Sequence, residues 1–267
     1  MIRIIVAGPR GNMGQEALQM INNERDFKLV ACIDRKHNGK NVLDIPSLPN
    51  IDAPVFSDPQ TCLEQIEADI LLDLTIPEVG YKHTKLALQH NVRPVVGTTG
   101  FTTEQIDELT KFAKQQKTGA IIAPNFAIGA ILMMKFSQIA AKYFPDVEII
   151  EKHHDRKIDA PSGTAIKTAE MISQNRELKT QGHPDEYETI KHARGAQFES
   201  MRIHSVRLPG LVAHQEVIFG STGETLSIKH DSLNRQSFMT GIKLAIEQVV
   251  DLQELIYGLE NIPFFND

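Results

Sequence analysis

The strongest constraint on the fold of this chain is an alternation of short apolar runs with helical patterns over residues 1–125. Within each run the residues are continuously apolar, which is typical of strands buried on both faces of a parallel sheet. Right-handed crossovers between such strands produce a doubly wound sheet. The runs are Ile2–Ala7, Leu29–Ile33, Ile70–Thr75, Pro94–Val96 and Ala120–Ala123, and the helical patterns are Met13–Ile21, Val79–Gln89 and Thr103–Gln116. We therefore predict an α/β fold of the Rossmann type for residues 1–126, a dinucleotide-binding domain.

After Asn125 the pattern indicates a second domain, of the α+β class. Three late strand-like runs are joined by short turns, so they are expected to be neighbours in an antiparallel or mixed sheet. The patterns are Ile128–Lys142 and Gly163–Gln174 for helices, Val147–Lys152, Met201–Leu208, Val212–Gly220 and Thr225–His230 for strands, and 175–198 for an irregular polar excursion. We assign residues 127–234 to this second domain. The last helical pattern, Ser237–Leu252, lies in a segment of about 235–267 that we expect to return to the first domain.

The composition excludes several classes of protein. The chain has 267 residues, 41% of them hydrophobic, which is enough for a real core, and its net charge of −6 argues against general nucleic-acid binding. No apolar run reaches the ~18 residues of a membrane span, and the N-terminus lacks the pattern of a secretory signal. Cys32 and Cys62, the two cysteines, lie in apolar-rich segments and suggest a reducing compartment. We expect a cytoplasmic protein without a nucleic-acid or membrane partner.

A glycine-rich turn joins the first strand to the first helix. Its spacing is Gly8-x-x-Gly11-x-x-Gly14, and glycines there let a pyrophosphate approach the backbone at the positive end of a helix. Asp34 follows at the end of the second strand, where an acid bonds an adenosine ribose. Arg35 and Lys36 come next and would suit the 2′-phosphate of NADP, although a solvated charged turn explains them equally well. We expect NADH or NADPH to bind here.

Two further loops end predicted strands, where ligands of parallel sheets bind, and both are expected to border the nicotinamide. For Thr98, Thr99 and Phe126, the alternative is ordinary loop capping and packing. The residues that we expect to contact the cofactor are Gly8, Pro9, Arg10, Gly11, Asn12, Met13, Asp34, Arg35, Gly97, Thr98, Thr99, Ala123, Pro124, Asn125 and Phe126.

The segment 151–165 contains the highest concentration of proton-transferring and anion-binding groups in the chain. It contains two adjacent imidazoles, His153 and His154, several cations including Lys157, and a helix start at Ser162. Imidazoles move protons near neutral pH, while cations and helix N-termini hold anions. A metal site is not expected, because there is no HExxH motif or cysteine pair and adjacent histidines are awkward ligands for one tetrahedral ion.

This segment closely resembles the motif of the dihydrodipicolinate reductase family, also called 4-hydroxy-tetrahydrodipicolinate reductases. The match is Glu151-x-His-His-x-x-Lys157-x-Asp-Ala-Pro-Ser-Gly-Thr-Ala165, and the glycine turn, Gly97–Gly100 and Ala123–Phe126 match as well. The departures are Asp34, where the family frequently has glutamate, and 175–198, which does not align securely.

The resemblance implies NADH- or NADPH-dependent reduction of a cyclic unsaturated dicarboxylate in the diaminopimelate and lysine pathway, by a homotetramer. It makes His153 and Lys157 catalytic, as proton donor/acceptor and proton donor, and it assigns substrate binding to His154, Gly163 and Thr164. Two alternatives remain at this stage. A nucleotide sensor would not need both Lys157 and the anion-binding helix start, and a semialdehyde dehydrogenase would more typically show a cysteine nucleophile near the substrate loop.

Overall fold

The computed structural model describes residues 1–98, 100–177 and 179–265, and the chain forms two compact units. Unit 1 comprises Met1–Phe126 together with the segment that begins at Arg235, and unit 2 comprises Ala127–Asn234. In the described part of the chain, no helix has both the length and the apolar character needed to cross a membrane.

Unit 1 is built on a parallel sheet of seven strands in the order β12-β6-β5-β4-β1-β2-β3. Their bounds are β1 (Ile2–Ala7), β2 (Phe27–Ile33), β3 (Val55–Phe56), β4 (Ile70–Asp73), β5 (Arg93–Val96), β6 (Ala120–Ile122) and β12 (Leu255–Tyr257). The chain moves outward from β1 in one direction to β3 and then in the other direction from β4. The order therefore reverses between β1 and β4, which is where doubly wound sheets bind ligands.

Five helices accompany this sheet: α1 (Asn12–Asn23), α2 (Pro59–Gln65), α3 (Pro77–Gln89), α4 (Thr103–Gln116) and α7 (Met239–Val249). Their sequences explain where they begin, since Asp58 and Thr102 cap the first turns of α2 and α4 with side-chain oxygens. Helix α7 contacts α1, and Lys243 of α7 forms an ion pair of 2.8 Å with Glu24. The last segment of the chain thus packs within unit 1.

Unit 2 contains a mixed sheet of five strands in the order β11-β10-β7-β9-β8. The strands are β7 (Asp146–His153), β8 (Ala196–Phe198), β9 (Met201–Arg207), β10 (Ala213–Ser221) and β11 (Glu224–Ser232). Strand β7 lies in the centre, parallel to β9 and antiparallel to β10. Helices α5 (Ile128–Ala140) and α6 (Gly163–Ser173) pack against each other, and α6 also contacts β7.

The predicted fold class, a doubly wound parallel sheet followed by a mixed sheet, is confirmed. One expectation about the second sheet is wrong, because the three late runs are not all neighbours. Strand β9 pairs with β7 and not with β10, so the short link 208–212 passes the end of the central strand. The excursion 175–198 also ends in a strand, β8, which pairs with β9.

Candidate active site

The glycine turn of unit 1 is held by contacts that a side chain would break. Gly8 follows β1 with a φ of +82°, and a Cβ there would lie 2.9 Å from the carbonyl oxygen of Leu74. At Gly14 a Cβ would lie 2.2 Å from the carbonyl oxygen of Gly8, so α1 passes directly over the turn. Pro9 is buried in this contact. The folding of the turn therefore requires glycine at both positions.

Gly11 has a different role in the turn. It is the N-cap of α1, no side chain caps this helix start, and the nearest atom to an added Cβ would be 3.4 Å away. Asn12 and Met13 follow in the first turn of α1, where backbone N–H groups lack intrahelical acceptors. The helix start thus presents uncapped N–H groups beside a residue without a side chain, which fits a phosphate group.

Asp34 lies just after β2 and is 6% exposed. Its carboxylate accepts hydrogen bonds from Arg10, at 3.2 Å from Nη2, and from the backbone N–H of Lys36 at 2.8 Å. Burial opposes ionisation of this carboxyl, but the hydrogen bonds from Arg10 and Lys36 outweigh it and lower the pKa of Asp34. Asp34 is therefore an ionised acceptor that Arg10 orients.

A cleft of about 560 Å³ opens beside this turn, at the ends of β1, β2 and β4. It brings together Gly8, Arg10, Gly11, Asp34 and Arg35, five of the residues predicted to contact the cofactor. The other lining residues were not predicted from the sequence, and they are Ile33, Ser57, Pro59, Leu74, Thr75, Ile76, Val79, Lys82 and His83. Several of them follow β4, so the reversal of strand order at β1 and β4 is the signal that would have identified them.

A buried polar network lies beneath the wall of this cleft. Asp73 ends β4 with no exposed surface, and one of its oxygens lies 2.6 Å from Nδ1 of His83. Its other oxygen accepts hydrogen bonds from the backbone N–H and the hydroxyl of Thr75, at 3.0 and 2.6 Å, and from the Thr98 hydroxyl at 3.3 Å. Asp73 therefore ties the loops after β4 and β5 to helix α3.

The predicted cofactor residues that the structure describes in the loops after β5 and β6 do not line the cleft, and neither do Pro9, Asn12 and Met13 of the glycine turn and α1. A Cβ on Gly97 would lie 3.0 Å from the Phe126 ring, so the two loops touch. Thr98 is buried, and its hydroxyl donates to Asp73. Ala123 and Phe126 are buried, Pro124 is exposed and Asn125 is half-buried. Thr99 lies outside the described residues.

In unit 2, the central strand β7 ends at His153, and a carboxylate on the same strand orients the His153 ring. Glu151 and His153 are two residues apart on β7, so their side chains share one face of the sheet. Glu151 is fully buried, and one of its oxygens lies 2.6 Å from Nδ1 of His153. The other oxygen accepts the backbone N–H of Ser162 at 3.2 Å.

Arg207, at the end of β9, completes this cluster. Its guanidinium donates to both oxygens of Glu151, at 2.8 Å from Nη1 and 2.7 Å from Nη2, and Nη2 also donates to the carbonyl oxygen of Asp159 at 2.8 Å. Burial by itself would raise the pKa of Glu151, but the hydrogen bonds from His153 and Arg207 outweigh it and lower this pKa to about 2. Glu151 is therefore ionised across the physiological pH range.

Lys157 and His154 lie in the loop that follows β7. The backbone N–H of Lys157 donates to the carbonyl oxygen of His154 at 3.2 Å, which forms a tight turn. The Lys157 ammonium lies 2.8 and 2.9 Å from the two oxygens of Asp159, and this contact lowers the pKa of Asp159. Nδ1 of His154 is buried and has no hydrogen-bond partner in the described part of the chain.

The start of α6 borders the same loop. As predicted, Ser162 is the N-cap, and its hydroxyl accepts the backbone N–H of Ala165 at 3.2 Å. Gly163 and Thr164 form the first turn, and a Cβ on Gly163 would meet nothing within 4 Å. An open helix N-terminus therefore lies next in sequence to the loop that carries Lys157.

Unit 2 thus combines groups that can bind anions with an imidazole, which can move protons. Lys157, Arg207 and the start of α6 favour negative charge, while His153 is held by a buried carboxylate. Glu151 belongs to the sequence motif, but no role was predicted for it, and Arg207 was not predicted at all. Glutamate two residues before histidine in a strand was a usable sign, because i and i+2 face the same side.

Comparisons with known proteins show which family the chain resembles. The sequence model described as "Dihydrodipicolinate reductase, N-terminus" matches residues 2–126, and that described as "Dihydrodipicolinate reductase, C-terminus" matches residues 129–262. The chain is 64% identical to 4-hydroxy-tetrahydrodipicolinate reductase of Oceanobacillus iheyensis, over 98% of this chain and 99% of that protein. Its identity to the Bacillus cereus protein of the same name is 60%, over 98% of each.

A solved structure is also similar. The dipicolinate-bound dihydrodipicolinate reductase of Paenisporosarcina sp. TG-14 is 54% identical, with a TM-score of 0.89 over 98% of this chain and 99% of that one. The likeness in sequence and in structure extends over nearly the full chain. This protein belongs to the dihydrodipicolinate reductase family.

Proposed function

We propose that this protein is a 4-hydroxy-tetrahydrodipicolinate reductase, which uses NADH or NADPH to reduce a cyclic unsaturated dicarboxylate in diaminopimelate and lysine biosynthesis. The observation that carries the proposal is the grouping of His153, Lys157 and the start of α6 in unit 2. An imidazole for proton transfer there accompanies groups that bind carboxylates. The related solved structure contains dipicolinate, a ring with two carboxylates.

Unit 1 is the dinucleotide-binding domain in this proposal. The uncapped start of α1 and the bare backbone at Gly11 suit the pyrophosphate, and Asp34 suits the adenosine ribose. The loops 97–99 and 123–126 would border the nicotinamide. When bound, the reduced cofactor supplies the hydride.

Unit 2 is the substrate-binding domain. Nε2 of His153 exchanges a proton with the substrate, and the Lys157 ammonium is the proton donor of the reduction. His154 and the backbone N–H groups of Gly163 and Thr164 bind the carboxylates of the ring. The pair with Asp159 holds the Lys157 ammonium at the loop surface.

We expect the protein to use both NADH and NADPH as cofactors. Asp34 can accept hydrogen bonds from the ribose hydroxyls of NADH, while Arg10 and Arg35 line the same cleft and can hold the 2′-phosphate of NADPH. Because Arg10 already pairs with Asp34, the acid is partly neutralised and does not strongly repel that phosphate.

The direct test mixes purified protein with the condensation product of pyruvate and aspartate semialdehyde and follows the absorbance of the reduced cofactor. Paired titrations with NADH and NADPH should both show substrate-dependent oxidation. Absence of oxidation with either cofactor would overturn the proposal. The same titrations give the preference between the two cofactors.

The oligomeric state and the cellular compartment are also part of this proposal. We expect a homotetramer formed through unit 2, as the family resemblance implies, and β11 leaves a nine-residue strand at the edge of its sheet. Cys32 and Cys62 are both buried and neither forms a disulfide, which suits the reducing cytoplasm.

A further inference from the structure

We propose that Glu151 and Arg207 are positioning residues for the reductase reaction, and that together they hold His153 in the tautomer that presents Nε2 for proton transfer. The inference rests on the proposed function, because it concerns the histidine that moves the proton there. Neither residue was assigned a role by the sequence motif.

The tautomer follows from the acceptor that faces the ring. An ionised carboxylate can only accept hydrogen bonds, so the 2.6 Å contact with Glu151 requires that Nδ1 of His153 carries a proton. In the neutral ring, Nε2 is then the basic nitrogen that is left for the substrate. A neutral ring of the other tautomer would place two acceptors against each other.

The position of the carboxylate follows from its other partners. Arg207 donates to both oxygens of Glu151, and Ser162 adds a backbone N–H at 3.2 Å, so the carboxylate cannot turn without breaking several bonds. A buried carboxylate also needs such a cation to offset its desolvation. The geometry of His153 is therefore set from β9 and from the start of α6, as well as from its own strand.

The pair of Glu151 and Arg207 also contacts the loop that carries Lys157, the second proposed catalytic residue. Nη2 of Arg207 donates at 2.8 Å to the carbonyl oxygen of Asp159, and the carboxylate of Asp159 holds Lys157. The N-cap of α6 bonds to Glu151. His153, the loop with Lys157 and the start of α6 are thus attached to one ion pair, between the buried Glu151 and the half-buried Arg207.

The test is the variant Glu151→Gln, which keeps size but replaces an acceptor with an amide nitrogen. Both oxygens of Glu151 accept from Arg207, so the amide carbonyl should stay on the guanidinium and the amide nitrogen should turn to His153. The amide would then donate to Nδ1 and move the ring proton to Nε2. The matched control is Glu148→Gln, since Glu148 lies on the same strand and also contacts a histidine, His204, and an arginine, Arg194.

Two readouts are measured on the full-length protein. Nitrogen-15 NMR of the imidazoles should show the His153 proton on Nδ1 in the wild type and on Nε2 in Glu151→Gln. In the assay, Glu151→Gln should lower kcat by about 10-fold or more, with NADPH affinity within about 2-fold of wild type, because the tautomer affects proton transfer and not nucleotide binding. Glu148→Gln should leave kcat and the His153 signals unchanged.

A folded Glu151→Gln variant with wild-type kcat and an unchanged tautomer would overturn the inference. If that variant does not fold, Arg207→Lys takes its place, because lysine keeps the charge but cannot donate to both oxygens and to Asp159 in a planar fork. Its kcat should fall, and wild-type kcat in that variant would equally reject the inference. The NMR readout needs no substrate, so failure of the proposed reaction is distinguished from failure of the positioning role.

Discussion

At the scale of single residues, the candidate functional groups of this chain are held mainly by buried carboxylates. Asp34 follows a strand, Asp73 ends one and Glu151 lies within one, and each accepts several hydrogen bonds from the groups around it. The sequence motif predicted His153 and Lys157, because they are close together in the chain. It could not predict Arg207, which is 56 residues away from Glu151 and meets it only through the pairing of β7 with β9.

Glu151 should make the stability of the protein depend on pH. Its pKa is lowered from 4.5 to about 2 in the folded state, so the stabilisation is present above pH 4.5 and is lost as the pH falls towards 2. Linkage gives a contribution on the order of 3 kcal/mol to the free energy of unfolding.

Urea unfolding from about pH 6 to pH 3 measures this dependence. The free energy of unfolding should fall less steeply with decreasing pH in Glu151→Gln than in the wild type, because the amide does not titrate. Other carboxylates titrate in both proteins and cancel in the difference. Parallel curves for the two proteins would contradict the prediction.

Lys157→Ala should damage turnover far more than cofactor binding. Removal of the proposed proton donor is expected to lower kcat/KM by about 100-fold or more, with the dissociation constant of NADPH within about 2-fold of wild type. Stopped-flow assays and fluorescence titration measure the two quantities. The matched control is Lys167→Ala, which removes another lysine paired with a carboxylate, Glu170, and should have little effect. Equal losses of turnover and cofactor affinity would show that Lys157 is misplaced.

At the scale of elements, long periodic segments were predictable and pairing partners were not. The prediction for α4 matches the observed Thr103–Gln116, and β1 matches Ile2–Ala7, because each carries a clear period and a clear end. Strand β3 has two residues and offers no period at all. The insertion of β7 between β9 and β10 depends on contacts remote in sequence, so the short turns between the late strands gave the wrong neighbour.

At the start of α1, Gly14 is needed for folding, whereas Gly11 is expected to matter for ligand binding. Gly14→Ala should destabilise the protein by about 3 kcal/mol or more, because its Cβ would overlap the Gly8 carbonyl oxygen, as thermal unfolding would show. Gly11→Ala should cost less than about 1 kcal/mol, since space for a Cβ exists there.

Gly11→Ala should nevertheless weaken NADPH binding by about 10-fold or more, because the methyl group would keep the pyrophosphate away from the backbone. Fluorescence titration of NADPH measures this loss. Wild-type affinity in Gly11→Ala would place the pyrophosphate elsewhere. Gly163→Ala is the comparison, because it adds a Cβ to the open helix start of unit 2 and should affect substrate KM instead.

At the scale of the whole molecule, the proposed homotetramer predicts one measurable mass. Size-exclusion chromatography with light scattering should give four times the 29.8 kDa of the chain. A dilution series is the control, because a specific assembly keeps its mass over a range of concentrations whereas weak association does not. A mass equal to one chain would reject the tetramer without affecting the assignment of the active-site residues.

The pairing of β12 with β6 also has a consequence for synthesis on the ribosome. The last strand of the first sheet is translated only after the whole of unit 2, since Leu255–Tyr257 follows Asn234 in the chain. A nascent chain that has just completed Ala120–Ile122 therefore exposes the edge of a hydrophobic sheet for as long as the intervening residues take to emerge. Release of an early-terminated polypeptide would leave that edge uncovered and prone to aggregation.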